Sequence, residues 1–102
     1  MQLSRIARRA EVGLVRTGSF VGHQSGDVVI AFTTANRHMH NDGTVRAIEA
    51  IHNNWMEEIF RMASEAVEEA ILNSMTTADR VVSRTGGVLR SLNEFLPECL
   101  EK

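Results

Sequence analysis

The sequence predicts an α/β protein, with amphipathic helices packed on an incomplete sheet. Three observations carry this. Leu3, Ile6, Ala7, Ala10 and Leu14 recur at helical spacing. Ile48, Ile51, Trp55, Ile59, Met62, Ala63, Ala66, Ala70 and Ile71 repeat that spacing over a longer stretch. Between the two stripes stands Val28-Val29-Ile30-Ala31-Phe32-Thr33-Thr34, which is β-branched and aromatic and apolar on both alternating faces. Such a run reads as a strand covered on both sides.

Taken in order, the first helix is expected over about residues 2–16, stopping near Gly18. Arg5, Arg8, Arg9 and Arg16 lie mostly off its apolar stripe. Residues 19–26 are rich in Gly, Ser and His and read as a loop. The strand is expected at about 27–34, followed by a polar loop over 36–44 with a turn at Asn41-Asp42-Gly43. A long helix is expected over about 45–74, its wet side marked by Glu49, Glu57, Glu58, Glu65, Glu68 and Glu69. Ala63, Ala66 and Ala70 suggest a close approach to another element. Thr76 or Thr77 can cap a further helical segment carrying Ala78, Val81 and Val82, broken at Thr85-Gly86-Gly87. Ser91-x-x-Glu94 has the form of a capping box for a last short helix ending near Leu100.

The chain has 102 residues, enough for a single domain at most. A net charge of −2 gives no general pull toward nucleic acid or acidic membranes. The arginines of the first helix leave a nucleic-acid module as a minor alternative to a solvated face. No apolar run nears the ~20 residues of a membrane span. Met1-Gln2-Leu3-Ser4 lacks the apolar core of a secretory signal. The single cysteine, Cys99, has no internal disulfide partner, so a reducing, cytoplasmic setting is expected. A packing role is expected for it in the last helix. His38-x-His40, with His23 or His52, lacks the supporting ligands of a zinc site. No metal and no cofactor are expected.

One strong strand is not a sheet. Its backbone groups need neighbours and its two apolar faces need cover. Residues 18–22 could supply one short strand at best. The sequence therefore predicts completion by another polypeptide, or membership of a larger one.

Ser25-Gly26-Asp27 opens the strand. Two residues apart on an extended chain, Ser25 and Asp27 share a face, where a hydroxyl beside a carboxylate can orient a catalytic group. The same three residues also suit an ordinary turn. Five blocks extend the pattern in order: Arg5-x-Ala7-Arg8-Arg9-Ala10, Gly13-Leu14-x-Arg16-Thr17-Gly18, Ser25-Gly26-Asp27, Ala31-Phe32-x-Thr34-Ala35-Asn36, and Ala66-x-Glu68-Glu69-Ala70-Ile71-Leu72-Asn73. Together they resemble the C-terminal part of the L-aminopeptidase/D-esterase group, which includes the β-peptidyl aminopeptidases.

The resemblance implies a self-cleaving serine hydrolase with an α/β/β/α sandwich similar to N-terminal-nucleophile hydrolases, of which residues 1–102 would be one fragment. It implies oligomers, no metal, and release of N-terminal residues from peptides, amides or esters through an acyl-enzyme. Ser25 and Asp27 match the family's Ser-Gly-acid motif, which orients the nucleophile; Asn36, at the end of the matched strand, would help hold the site or the substrate. The nucleophilic serine of the family follows a glycine and opens an apolar strand some ~15 residues before the first helix, given usual strand and loop lengths. No such Gly-Ser precedes the helix here, and neither Ser4 nor Ser19 replaces it. The expectation is a chain inactive alone, whose partner is the missing N-terminal portion. The alternative is a non-catalytic homodimer pairing residues 27–34 across a two-fold axis.

Overall fold

The computed structural model describes residues 1–41 and 43–101. Asp42, at the centre of the expected Asn41-Asp42-Gly43 turn, lies outside the described residues. The elements are helix α1 (Gln2–Arg16), a 3-10 turn (Asn53–Trp55), helix α2 (Met56–Thr77), strands β1 (Val81–Val82) and β2 (Val88–Leu89), a second 3-10 turn (Leu92–Glu94) and helix α3 (Leu96–Leu100).

α1 forms where its stripe predicts. Thr17 and Gly18 return their N–H groups to Leu14 and Val15, and Gly18 adopts φ +104°, the left-handed exit that glycine permits. α1 packs along α2 in the same direction. Gly13 is buried at the crossing, and a Cβ there would lie 2.5 Å from the Ser64 carbonyl oxygen and 2.8 Å from Val67 Cβ. Ser64, also buried, donates its hydroxyl toward the carbonyls of Arg9 (3.2 Å) and Phe60 (2.9 Å). Arg5 and Arg9 lie over the Phe60 ring at 5.2 and 4.2 Å, and Arg16 pairs with Glu68 at 2.8 Å. The close approach thus falls on Gly13, Ser64 and Val67, whereas Ala66 and Ala70 are exposed.

Several expectations are corrected. The long helix starts at Met56, not near residue 45; Ile48 and Ile51 copy its period but lie before it, exposed. The His52 side chain accepts from Asn54 N–H and caps the 3-10 turn that leads in. Thr76 and Thr77 end α2 instead of opening a helix, their hydroxyls donating back to Leu72 and Asn73 carbonyls. Val81 and Val82 then pair antiparallel with Leu89 and Val88 in a hairpin. Its turn is made by Gly86 at φ +86° and by bonds between Ser83 and the Gly-Gly pair. The Ser91–Glu94 capping box forms, with Ser91 N–H donating to Glu94, but around a 3-10 turn ahead of α3. Cys99 is exposed, not packed.

The strand expected at 27–34 forms no ladder among the described residues. Its exposure alternates all the same: Val28, Ile30 and Phe32 are more than 80% exposed, while Val29 and Ala31 are partly covered. Alternation is the signature of an extended chain lying with one face on a layer beneath.

The chain is open as a whole. Its radius of gyration is 19.5 Å over a 61 × 35 × 26 Å body, against ~13 Å for a compact domain of this size. Met56 is the one buried large hydrophobe among the described residues. The helices form one layer, and among the described residues nothing covers Val28, Ile30 and Phe32. This is a partial α/β arrangement.

Candidate functional site

The loop after α1 delivers Ser25. Ser19 accepts from Val21 N–H, and Val21 is held at φ 50°, a left-handed conformation that costs a β-branched residue. The chain then turns, with Ser25 N–H donating to the Gly22 carbonyl at 2.8 Å. This places the Ser25 hydroxyl on Asp27, to whose Oδ2 it donates. The expected shared face is therefore realised as a direct bond. Val21 carried no sequence signal, because nothing in a valine announces positive φ.

The pair stands at a groove of about 530 Å³ lined by Ala7, Ala10 and Leu14 of α1, Val67 and Ile71 of α2, and Val28 and Val29. Its chemistry follows from its protons. Ser25 has given its hydrogen to Asp27, so its oxygen faces outward with lone pairs only. The carboxylate is an acceptor at both oxygens. Together they offer acceptor positions suited to a donor such as an amine or a second hydroxyl.

Asn36 is not brought to this pair. It lines a second groove, also about 530 Å³, with Met1, Gln2, Leu3, Ile6, Thr33, Ala35 and residues 48–51. Its amide is committed there, donating to the Glu49 carbonyl and accepting from Glu49 N–H, both at 2.9 Å. α1 underlies both grooves, Ala7 to Leu14 at the Ser25 end and Met1 to Ile6 at the Asn36 end. It therefore runs opposite to residues 27–34. Residues 48–51 form part of this region, which the helical reading of Ile48 and Ile51 concealed. The β-branched Thr44-Val45 and the Asn53-Asn54 pair before α2 were the signals for an extended segment and a later helix start.

Among the described residues, no three His, Cys, Asp or Glu side chains gather as metal ligands. No described helix is long and apolar enough to cross a membrane.

A family model described as "Peptidase family S58" matches residues 1–89. The chain is 37% identical over 92 residues to "Beta-peptidyl aminopeptidase BapA" of Sphingosinicella microcystinivorans, covering 89% of this chain and 23% of that protein. It is 37% identical over 82 residues to the protein of the same description from Sphingosinicella xenopeptidilytica, covering 76% of this chain and 20% of that one. The chain thus spans less than a quarter of the length of the curated relatives it matches. The crystal structure of the PH0078 protein from Pyrococcus horikoshii OT3 is similar in fold, with a TM-score of 0.86 at 40% identity. The match covers 98% of this chain and 29% of that one. In that structure the matched region is part of a chain more than three times as long as this one.

Proposed function

The chain belongs to peptidase family S58, and we propose from that membership that it is the supporting part of a serine aminopeptidase whose nucleophile lies outside these 102 residues. The observation that carries the reading is the Ser25–Asp27 bond at the head of an apolar segment that forms no ladder among the described residues. An acceptor pair at that place is suited to hold a nucleophile's hydroxyl or free α-amine and to steady its charge.

The layout supports the missing neighbour. A strand laid beside residues 27–34 would run about 26 Å at ~3.3 Å per residue. It would begin at Ser25 and Asp27 and finish in the second groove, where Met1 opens toward α1. Eight or so strand residues and a short loop bring a serine at its head to roughly 10–14 residues before α1. That agrees with the spacing the family resemblance implies. The rest of the polypeptide would also cover Val28, Ile30 and Phe32 as the second sheet of the sandwich. Acyl transfer from an N-terminal residue of a peptide, amide or ester then proceeds at the serine, with Ser25 and Asp27 orienting it. Self-cleavage ahead of that serine, oligomeric assembly and a cytoplasmic setting complete the reading, without cofactor.

The test is complementation. The chain is expressed with the complementary N-terminal portion of an S58 relative and assayed on a β-peptidyl amide. Hydrolysis that Ser25→Ala and Asp27→Asn each lower about 100-fold or more supports the reading. A folded, processed pair that stays inactive with both residues intact overturns it.

A second reading rests on the exposed face of Val28, Ile30 and Phe32. Two copies pairing there would form a non-catalytic homodimer. Sedimentation decides: a monomer at micromolar concentration removes this reading.

A further inference from the structure

Residues 49 and 51 make contacts that a neighbouring strand would normally make. The Gln2 side-chain amide donates to the Ile51 carbonyl at 2.5 Å and accepts from Ile51 N–H at 3.1 Å. The Asn36 amide does the same with Glu49, both bonds at 2.9 Å. Exchange of both bonds with a single residue is how directly opposed residues pair in an antiparallel ladder. Residues two apart in an extended chain turn these groups to the same edge. Two side chains thus fill successive ladder positions along one edge. The backbone groups of Ile48 and Ala50, which face the other edge, make no hydrogen bond among the described residues.

We propose that Gln2 and Asn36 are positioning residues that clamp residues 49–51 as a fixed wall of the second groove. The chemistry calls for a primary amide. It carries donor and acceptor on one planar group, whereas a carboxylate offers only acceptors and an alkyl chain neither. Gln2 ties the wall to the first turn of α1, and Asn36 ties it to the end of the apolar segment. Three pieces of backbone are thereby fixed around a floor made by Leu3 and Ile6. Asn36, expected to help hold the site or the substrate, would do so through Glu49. As a service to catalysis this inference rests on the hydrolase reading, since a groove wall matters there only if a strand or substrate enters. The clamp itself is read without turnover, so a failed complementation assay leaves its test intact.

The test is amide hydrogen exchange by NMR on the 102-residue chain. Glu49 and Ile51 N–H are expected to exchange at least tenfold more slowly than Ile48 and Ala50 N–H. Asn36→Leu should release Glu49 and leave Ile51 slow; Gln2→Leu should do the reverse. Asn36→Gln, which keeps both amide functions, should recover part of the Glu49 protection. α2 amides in the same spectra report whether each variant is folded, and the wild-type comparison stands even if a variant is not. Equal exchange at all four positions in the wild type overturns the proposal. So does Asn36→Gln behaving as Asn36→Leu in a folded chain.

Discussion

Gly13→Ala tests the scaffold that carries both grooves. The added methyl carbon would lie 2.5 Å from the Ser64 carbonyl oxygen, 2.8 Å from Val67 Cβ and 3.0 Å from Glu68 N. Two of those neighbours are backbone atoms of α2, which cannot swing aside as a flexible side chain would. The helices must part, pulling Ser64 away from the Arg9 carbonyl. Overpacking of this kind costs about 1–3 kcal/mol, and backbone on the facing side argues for the upper part of that range. Alanine is better than glycine inside a helix by about 1 kcal/mol, which offsets part of it. The net expectation is a loss of about 1–2 kcal/mol. Urea unfolding followed by helical circular dichroism measures it. With a slope of roughly 1–2 kcal/mol per molar urea, the midpoint should fall by about 1 M. Val12→Ala, one residue along on an exposed position, is the control and should change stability by less than about 0.5 kcal/mol. A Gly13→Ala chain as stable as the wild type, or more so, refutes the close crossing, because only helix propensity would then be acting.

Phe60→Leu removes the ring beneath Arg5 and Arg9 while keeping apolar bulk, and should cost about 1 kcal/mol in the same urea experiment. Glu94 holds Arg80 and Arg90, and their hydrogen bonds lower its pKa from 4.5 to about 2. Because the folded value is depressed, the stabilising contribution is complete above about pH 4.5 and is lost as pH falls toward 2. NMR of the Val81–Leu89 hairpin during acid titration should show loosening in that window, and Glu94→Gln should remove the step. In the complemented hydrolase, Asp27→Asn should lower kcat about 100-fold or more, the scale of a lost proton-handling group; steady-state kinetics on an amide substrate reads it.

α1 was legible because a short stripe, basic outer residues and Gly18 all point to one answer. The body of α2 was legible for the same reason. Its start was not, because Ile48, Ile51 and Trp55 fall at the three- and four-residue spacings of a helix although α2 begins only at Met56. The hairpin of Val81-Val82 and Val88-Leu89 was hidden by its length, too short for alternation to show. Residues 27–34 were read as a strand covered on both sides, yet among the described residues they form no ladder and Val28, Ile30 and Phe32 are exposed. Whether a run joins a ladder depends on segments distant in sequence, which a local pattern does not supply. Ser25 and Asp27 could be paired from their spacing. The Asn36–Glu49 and Gln2–Ile51 contacts could not, since they join residues far apart in sequence through side chains that are polar in any loop.

The most direct measurement is hydrogen exchange at the amides of Val28 to Phe32, first in the chain alone at low concentration, then after assembly with the complementary S58 portion. The account predicts near-free exchange alone, because no ladder protects these groups, and strong protection once a strand lies beside them. Amides already protected in the dilute chain alone would contradict it, because the segment would then have found its partner within these 102 residues.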